Sequence, residues 1–301
     1  MERHLPANHR GLSARKAPFG RRLAPYLLSA PGGIWLLVFF VIPFFVMFSV
    51  SLQTGNIDIG FTLTWHIAEY WQAVTLYHAF IVRSLWYASV VTVLTLIVGY
   101  PVAYWIAFHA GRRKTTYLFL LLLPFFVSFV IRTLSWGFIL ADQGVVLGTL
   151  KRVHILPQDF HVIATSTAVI AGIAYNSLPF TVLPLYVSLE KIDRSVLEAA
   201  HDLYANNVAV FRKVILPLTV PGIFAAFLLT FIPAAGDYVN ATILGSTGTR
   251  MVGNIIQDLY LGSAFNYPMA SALSFILMAI LLVGILAYAR LLGTRSIEEF
   301  I

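Results

Sequence analysis

Six stretches of this chain run for about 20 residues or more with at most one charged side chain, the length a helix needs to cross roughly 30 Å of hydrocarbon. They cover roughly Ile34 to Leu52, Ser84 to Phe108, Thr116 to Leu140, Val162 to Leu189, Val214 to Gly236 and Leu259 to Ala289. Of the 301 residues, 59% are hydrophobic and only 11% charged, against roughly 25% charged in a soluble domain. The expected fold class is therefore all-α integral membrane, with six transmembrane helices.

The net charge of +7 does not indicate nucleic acid, because the basic residues cluster at the ends of apolar runs, where they signal topology. The N-terminal stretch carries Arg3, Arg10, Arg15, Lys16, Arg21 and Arg22, and the full spanning length of the run that follows makes it an uncleaved first helix. With six spans both termini share a side. If that side is inside, the inner segments hold 15 Lys and Arg and the outer ones 5 (Arg83, Arg132, Lys151, Arg152 and Arg250), so both termini are expected in the cytoplasm. Cysteine is absent, which removes disulfides and thiol chemistry without fixing the compartment.

Two outer loops, about Gln53 to Arg83 and Ala141 to His161, carry turn residues and aromatics, with Trp65 and Trp71 suited to an interface. Pro43, Pro101 beside Gly99, Pro124, Pro179, Pro184, Pro233 and Gly236 disturb the spans and mark packing or a cavity.

One long inner connection stands apart, Glu190 to Lys213, because it is charged yet helical in pattern. Val196, Leu197, Ala200, Leu203 and Tyr204 fall on one stripe; Asn206 and Asn207 interrupt it; Val208, Phe211 and Ile215 resume a second. Two short amphipathic helices joined by a bend follow, with Pro217 and Pro221 opening the fifth span.

This segment resembles the EAA loop of ABC importer permeases on Glu198, Ala199 and Ala200, then Val214, Leu216 and Pro217 at the family's spacing. Tyr204 departs from the pattern, standing where the family most often has Gly, and the adjacent asparagines are expected to take over the turn. The stretches Leu123 to Trp136, Leu178 to Asp193 and Ile215 to Ile223 are similar to the permeases of the spermidine/putrescine type, Arg132, Thr133 and Trp136 being their more specific mark.

The resemblance implies a type I ABC-importer permease fold, with a six-helix domain over 32–290, a coupling loop over 190–217, and cytoplasmic segments over 1–31 and 291–301. It implies a polyamine importer of the bacterial plasma membrane whose partners are a second permease, two cytoplasmic ATPase copies and an extracytoplasmic binding protein. This chain then binds lipid but no cofactor, and ATP and magnesium belong to the ATPase. Glu198, Ala199, Ala200, Asp202, Tyr204, Leu216 and Pro217 are assigned to ATPase coupling. A local alternative for Glu198 is a capping box with Ser195.

Competing chemistry is thin. No G-x-x-x-x-G-K-[ST] loop occurs, so the chain is not expected to be an enzyme or its own energy source. The eight histidines lack metal-site spacing. An ion-coupled secondary transporter of small amines is the alternative, though it more often shows inverted repeats and several embedded charges. Asp237 is the one good acidic candidate at membrane depth, so an intramembrane aspartate dyad is not available.

Asp237 lies ~30 Å beyond Pro217 if the helix runs straight, either lining the substrate path or capping a helix in the headgroup layer. Tyr238 offers an aromatic face beside it, and Trp136, Tyr175 and Asn176 are assigned with them to the path. Arg132, ~24 Å into the third span, either snorkels to the outer interface or serves structure or gating, since a fixed cation repels a polyamine.

Overall fold

A computed structural model describes residues 19–56, 58–262 and 265–296, with side chains from residue 28 to residue 290. Much of the expected 1–31 segment, with Arg3, Arg10, Arg15 and Lys16, and residues 297–301 of the expected 291–301 tail lie outside the described residues. The chain forms two units, 1–49 and 50–301. In the first, α1 (Phe19–Leu36) passes through a π turn (Leu37–Val41) into α2 (Ile42–Val50), and Leu28–Val50 is long and apolar enough to span a membrane.

The second unit opens with a two-stranded hairpin, β1 (Gln53–Asn56) against β2 (Gly60–Leu63), antiparallel with Gln53 opposite Leu63. The outer loop expected to reach Arg83 stops short, because α3 (Ala68–His109) starts well before the apolar window and runs as one 42-residue helix through Pro101. Trp65 and Trp71 are exposed at its start.

The third span is corrected more deeply. Instead of one helix from Thr116, α4 (Lys114–Leu122) gives way at Pro124 to a 3-10 turn (Leu123–Phe126), and Val127 and Ser128 are extended before α5 (Phe129–Leu140) begins. Pro124 lacks the amide a continuing helix needs, which ends α4 there. Arg132 thus lies in the first turn of α5, and the ~24 Å straight-helix placement does not hold.

A short α6 (Val145–Arg152) falls within the stretch expected as the second outer loop, and α7 (Ser166–Glu190) follows, with Thr165 accepting from the Ala168 amide. The inner connection holds α8 (Arg194–Asp202) and α9 (Asn207–Val210), continued by a π turn (Phe211–Ile215) into α10 (Leu216–Leu218). After α10, α11 (Val220–Ala235) leaves at 62°, so the fifth span bends at Thr219; Pro233 stays inside α11, and Gly236 caps its end. Beyond α12 (Val239–Leu244), the amphipathic α13 (Val252–Leu261) is separate from α14 (Tyr267–Ser296), so the sixth span starts at Tyr267 and not at Leu259. Among the described residues five helical stretches, Phe129–Arg152 across α5 and α6 included, are apolar and long enough to cross a membrane, and counting the bent pair as one span makes six.

Helices α3, α7 and α11 form the centre of this unit, approaching closely through small residues as membrane helices do. A Cβ on Gly222 would meet Ser188 Cβ at 2.4 Å, and one on Gly172 would meet Leu244 at 2.3 Å. Lys114 pairs with Glu190 at 2.7 Å, and the Arg83 side chain donates to the Arg250 backbone carbonyl at 2.9 Å.

Candidate coupling surface and membrane cavity

Two groups of predicted residues are built by different elements. The coupling group rests on a cluster in which Ala103 and Ala107 of α3, Val182, Leu185 and Leu189 of α7, and Ala226 of α11 receive Val210 and Ile215 from the inner connection. Leu197 and Ala200 pack on the same cluster. Phe211 meets Tyr100 edge-on at 5.7 Å, and Tyr100 shares a 2.9 Å hydrogen bond with Thr219 at the bend. Packed side chains therefore connect α8 and α9 to α3 and to the start of α11.

The outward side of this segment is left for something else to cover. Glu198, Ala199 and Asp202 are exposed, Leu203 is 81% and Tyr204 98% exposed, and Val208 is exposed as well. Leu216 and Pro217 are exposed at the bend. The expected stripe is thus split: Leu197 and Ala200 face the core, while Leu203 and Tyr204 do not. Val210 replaces Val208 in the second stripe because the helix starts at Asn207.

Two local expectations are corrected. Ser195 and Glu198 do not form a capping box. Asp193 is the N-cap, its Oδ1 accepting from the Ser195 amide at 3.0 Å, and the Glu198 carboxylate has no partner among the described residues. The Ser195 backbone and side-chain hydrogen bonds hold the Asp193 carboxyl below its ordinary value. Nor do the asparagines take over the turn. Tyr204 itself adopts the left-handed conformation, with φ of 58°, while Asn206 is extended and caps α9 by accepting from the Ala209 amide at 2.8 Å.

The membrane group converges on a cavity of about 270 Å³ lined by Phe125, Arg132, Asn176, Phe180, Pro233 and Asp237 among others. Arg132 is only 8% exposed, so it does not snorkel from a lipid-facing surface. Its guanidinium lies 4.3 Å from the Phe125 ring centre and 6.0 Å from that of Phe129, and Nε and Nη1 have no hydrogen-bond partner. Asp237 accepts from the Asn240 amide and from Asn240 Nδ2, both at 2.8 Å.

The buried Asn240 Oδ1 takes hydrogen bonds from Thr133 and Asn176 at 3.2 Å, which joins α5, α7 and α12 beneath the acid. Asn240 was missed from the sequence, although its position three residues after Asp237 at a helix start is a capping signal. Trp136 and Tyr175 pair edge-on at 5.2 Å, next in sequence to Ser135 and Asn176. Tyr238 parts from this group and lines a second cavity with Tyr260 and Tyr267, because consecutive residues after α11 turn to opposite sides.

A membrane bundle with a packed, partly exposed helical segment on one side and a charged cavity within its helices defines a transport subunit. A family model described as "binding-protein-dependent transport system inner membrane component" matches residues 99–293. The chain is 36% identical over 259 residues to the spermidine/putrescine transport system permease protein PotB of Haemophilus influenzae, covering 85% of this chain and 90% of that one. It is 32% identical to PotB of Escherichia coli strain K12, covering 85% and 93%. A crystal structure of a bacterial ABC transporter that imports the acidic polysaccharide alginate matches the fold at TM-score 0.71, with 18% identity, 92% of this chain and 97% of that chain.

The chain belongs to the binding-protein-dependent transport system inner membrane components. It is a multi-pass inner-membrane permease subunit of the ABC-importer type, with the type I fold, and it is not an enzyme. These relationships do not favour the ion-coupled alternative.

Proposed function

We propose that this permease carries polyamines of the spermidine and putrescine class into the cell, with Asp237 meeting the substrate amine. The observation that carries the substrate class is the identity of 36% to a spermidine/putrescine permease over most of both chains. The cavity supports it: Asp237 is the one carboxylate among its lining residues and Asn176 lines it too, while Trp136 and Tyr175, paired with each other, are not among the lining residues. An ionisable group at membrane depth is a functional feature by default, and a carboxylate with carbonyl acceptors suits an ammonium group.

In this reading both termini are cytoplasmic, a second permease closes the path, a binding protein delivers substrate from outside, and two ATPase copies supply ATP and magnesium. Glu198 offers its free carboxylate to a basic cleft of the ATPase, with Ala199 allowing close approach and Asp202, Leu203 and Tyr204 widening the contact. Closure of the ATPases pushes α8 and α9, and the Phe211 to Tyr100 contact and the Thr219 bend pass the movement to the spans.

The test is uptake of radiolabelled spermidine by membranes holding the chain with the subunits it assembles with. ATP-dependent uptake that Asp237→Asn abolishes, with assembly intact, is the expected result. Unchanged uptake kinetics in Asp237→Asn reject the role of the acid, and absence of any polyamine uptake rejects the substrate class.

A further inference from the structure

Arg132 is a buried cation without an anion. It is only 8% exposed, Nε and Nη1 make no hydrogen bond, and its contacts of note are the faces of Phe125 and Phe129. A guanidinium carries five donors in a fixed fork and does not lose its proton, so an aromatic face stabilises its charge and leaves the donors unsatisfied. Such a group is costly to bury unless it finds a partner in some state of the protein. Among the described residues lining its cavity, the single carboxylate is Asp237, and the Asn176 Oδ1 acceptor is also unpaired.

Asp237 has capacity to spare. Its oxygens accept from the Asn240 amide, from Asn240 Nδ2 and from the Ala241 amide, and a carboxylate has room for about four such bonds. The two charged groups are also held on one frame, since Thr133, next to Arg132, donates to the same Asn240 that holds Asp237. The backbone beneath both is thus fixed, while the long Arg132 side chain is held by no hydrogen bond.

We propose that Arg132 is an internal rival of the substrate for Asp237. In one state of the transport cycle the guanidinium leaves the Phe125 face, where this structure holds it, and pairs with the carboxylate; an arriving amine displaces it back onto Phe125. The device sets specificity. A monoamine or an inorganic cation offers one charge to displace a bidentate guanidinium, whereas a polyamine brings a second ammonium that can use Asn176 and the Phe180 ring of the same cavity. Re-pairing of Arg132 with Asp237 then drives release. This inference rests on the reading of Asp237 as the acid that meets the amine.

The test is equilibrium binding of radiolabelled spermidine and of butylamine, without any binding protein, to the full chain co-produced with its partner subunits in nanodiscs. Arg132→Gln is expected to tighten spermidine binding on the order of tenfold and to make butylamine binding measurable. In the Asp237→Asn background, Arg132→Gln should bring no tightening. Arg132→Lys keeps the charge but loses the fork and the stacking, and should tighten spermidine binding by a smaller factor; it decides the matter if Arg132→Gln does not assemble.

A purely structural Arg132 would weaken binding when replaced. Unchanged or weaker spermidine binding in both Arg132 variants, or equal tightening with and without the Asp237 carboxylate, overturns the exchange and leaves the polyamine reading standing. Absence of spermidine binding by every variant, Arg132→Gln included, overturns both.

Discussion

At the scale of single residues, the inner connection separates groups that hold the fold from groups left free to act. Asp193 starts α8, so Glu198 has no capping duty, and Glu198→Ala is expected to abolish substrate uptake while the amount of assembled protein stays the same. Normal uptake in that variant would remove Glu198 from coupling.

Asp193 carries the pH dependence of this helix start. Its carboxyl is held below its ordinary value, so the cap contributes fully above the ordinary carboxylate range and is lost as pH falls through the lowered value. Asp193→Asn can still cap, and should keep the helix while removing the acid sensitivity of loop proteolysis below about pH 4.

Tyr204 shows the opposite balance, a nearly fully exposed ring on a left-handed backbone. Tyr204→Gly should relieve about 1 kcal/mol of strain and slow proteolysis of the loop. If the ring also contacts the ATPase, the same change lowers coupled ATP hydrolysis.

At the scale of elements, close helix approach and broken helices matter more than helix propensity. Gly222 lies where α11 meets α7, and a Cβ there falls 2.4 Å from Ser188 Cβ on a well-packed side. Gly222→Val should cost about 1–3 kcal/mol and lower the thermal stability of the solubilised protein, with Ser188→Gly, which removes the clashing Cβ, giving partial relief in the double variant. Phe211 packs on Tyr100 and Tyr104 of α3, and under the proposed coupling Phe211→Ala should leave ATP hydrolysis running while uptake falls, because the edge-on contact with Tyr100 is lost. Equal loss of both activities would show that Phe211 serves folding and not transmission.

At the scale of the whole molecule, the spans and the short helices of the charged connection were legible in the sequence because both are local properties. A run of apolar side chains such as Val162 to Leu189 has to bury its backbone polar groups internally wherever it lies in the membrane, so composition alone settles that it is a helix. The coupling segment announced itself by a charged helical pattern between two such runs, followed by Leu216 and Pro217. Even the carboxylate and its holder, Asp237 and Asn240, are three residues apart.

What only the tertiary structure decided was where the spans break and what meets across them. Pro124 could have been accommodated inside a helix, as Pro101, Pro179 and Pro184 are, and whether it interrupts one depends on its neighbours. The fifth span bends at Thr219, where a hydroxyl reaches Tyr100 more than a hundred residues away. Arg132 and Asp237 share a cavity because the Thr133, Asn176 and Asn240 side chains lock three helices together, and no local spacing encodes such a lock. Helix formation is fixed by the solvent each residue meets, whereas a cavity is fixed by the few long-range hydrogen bonds that set how helices pack.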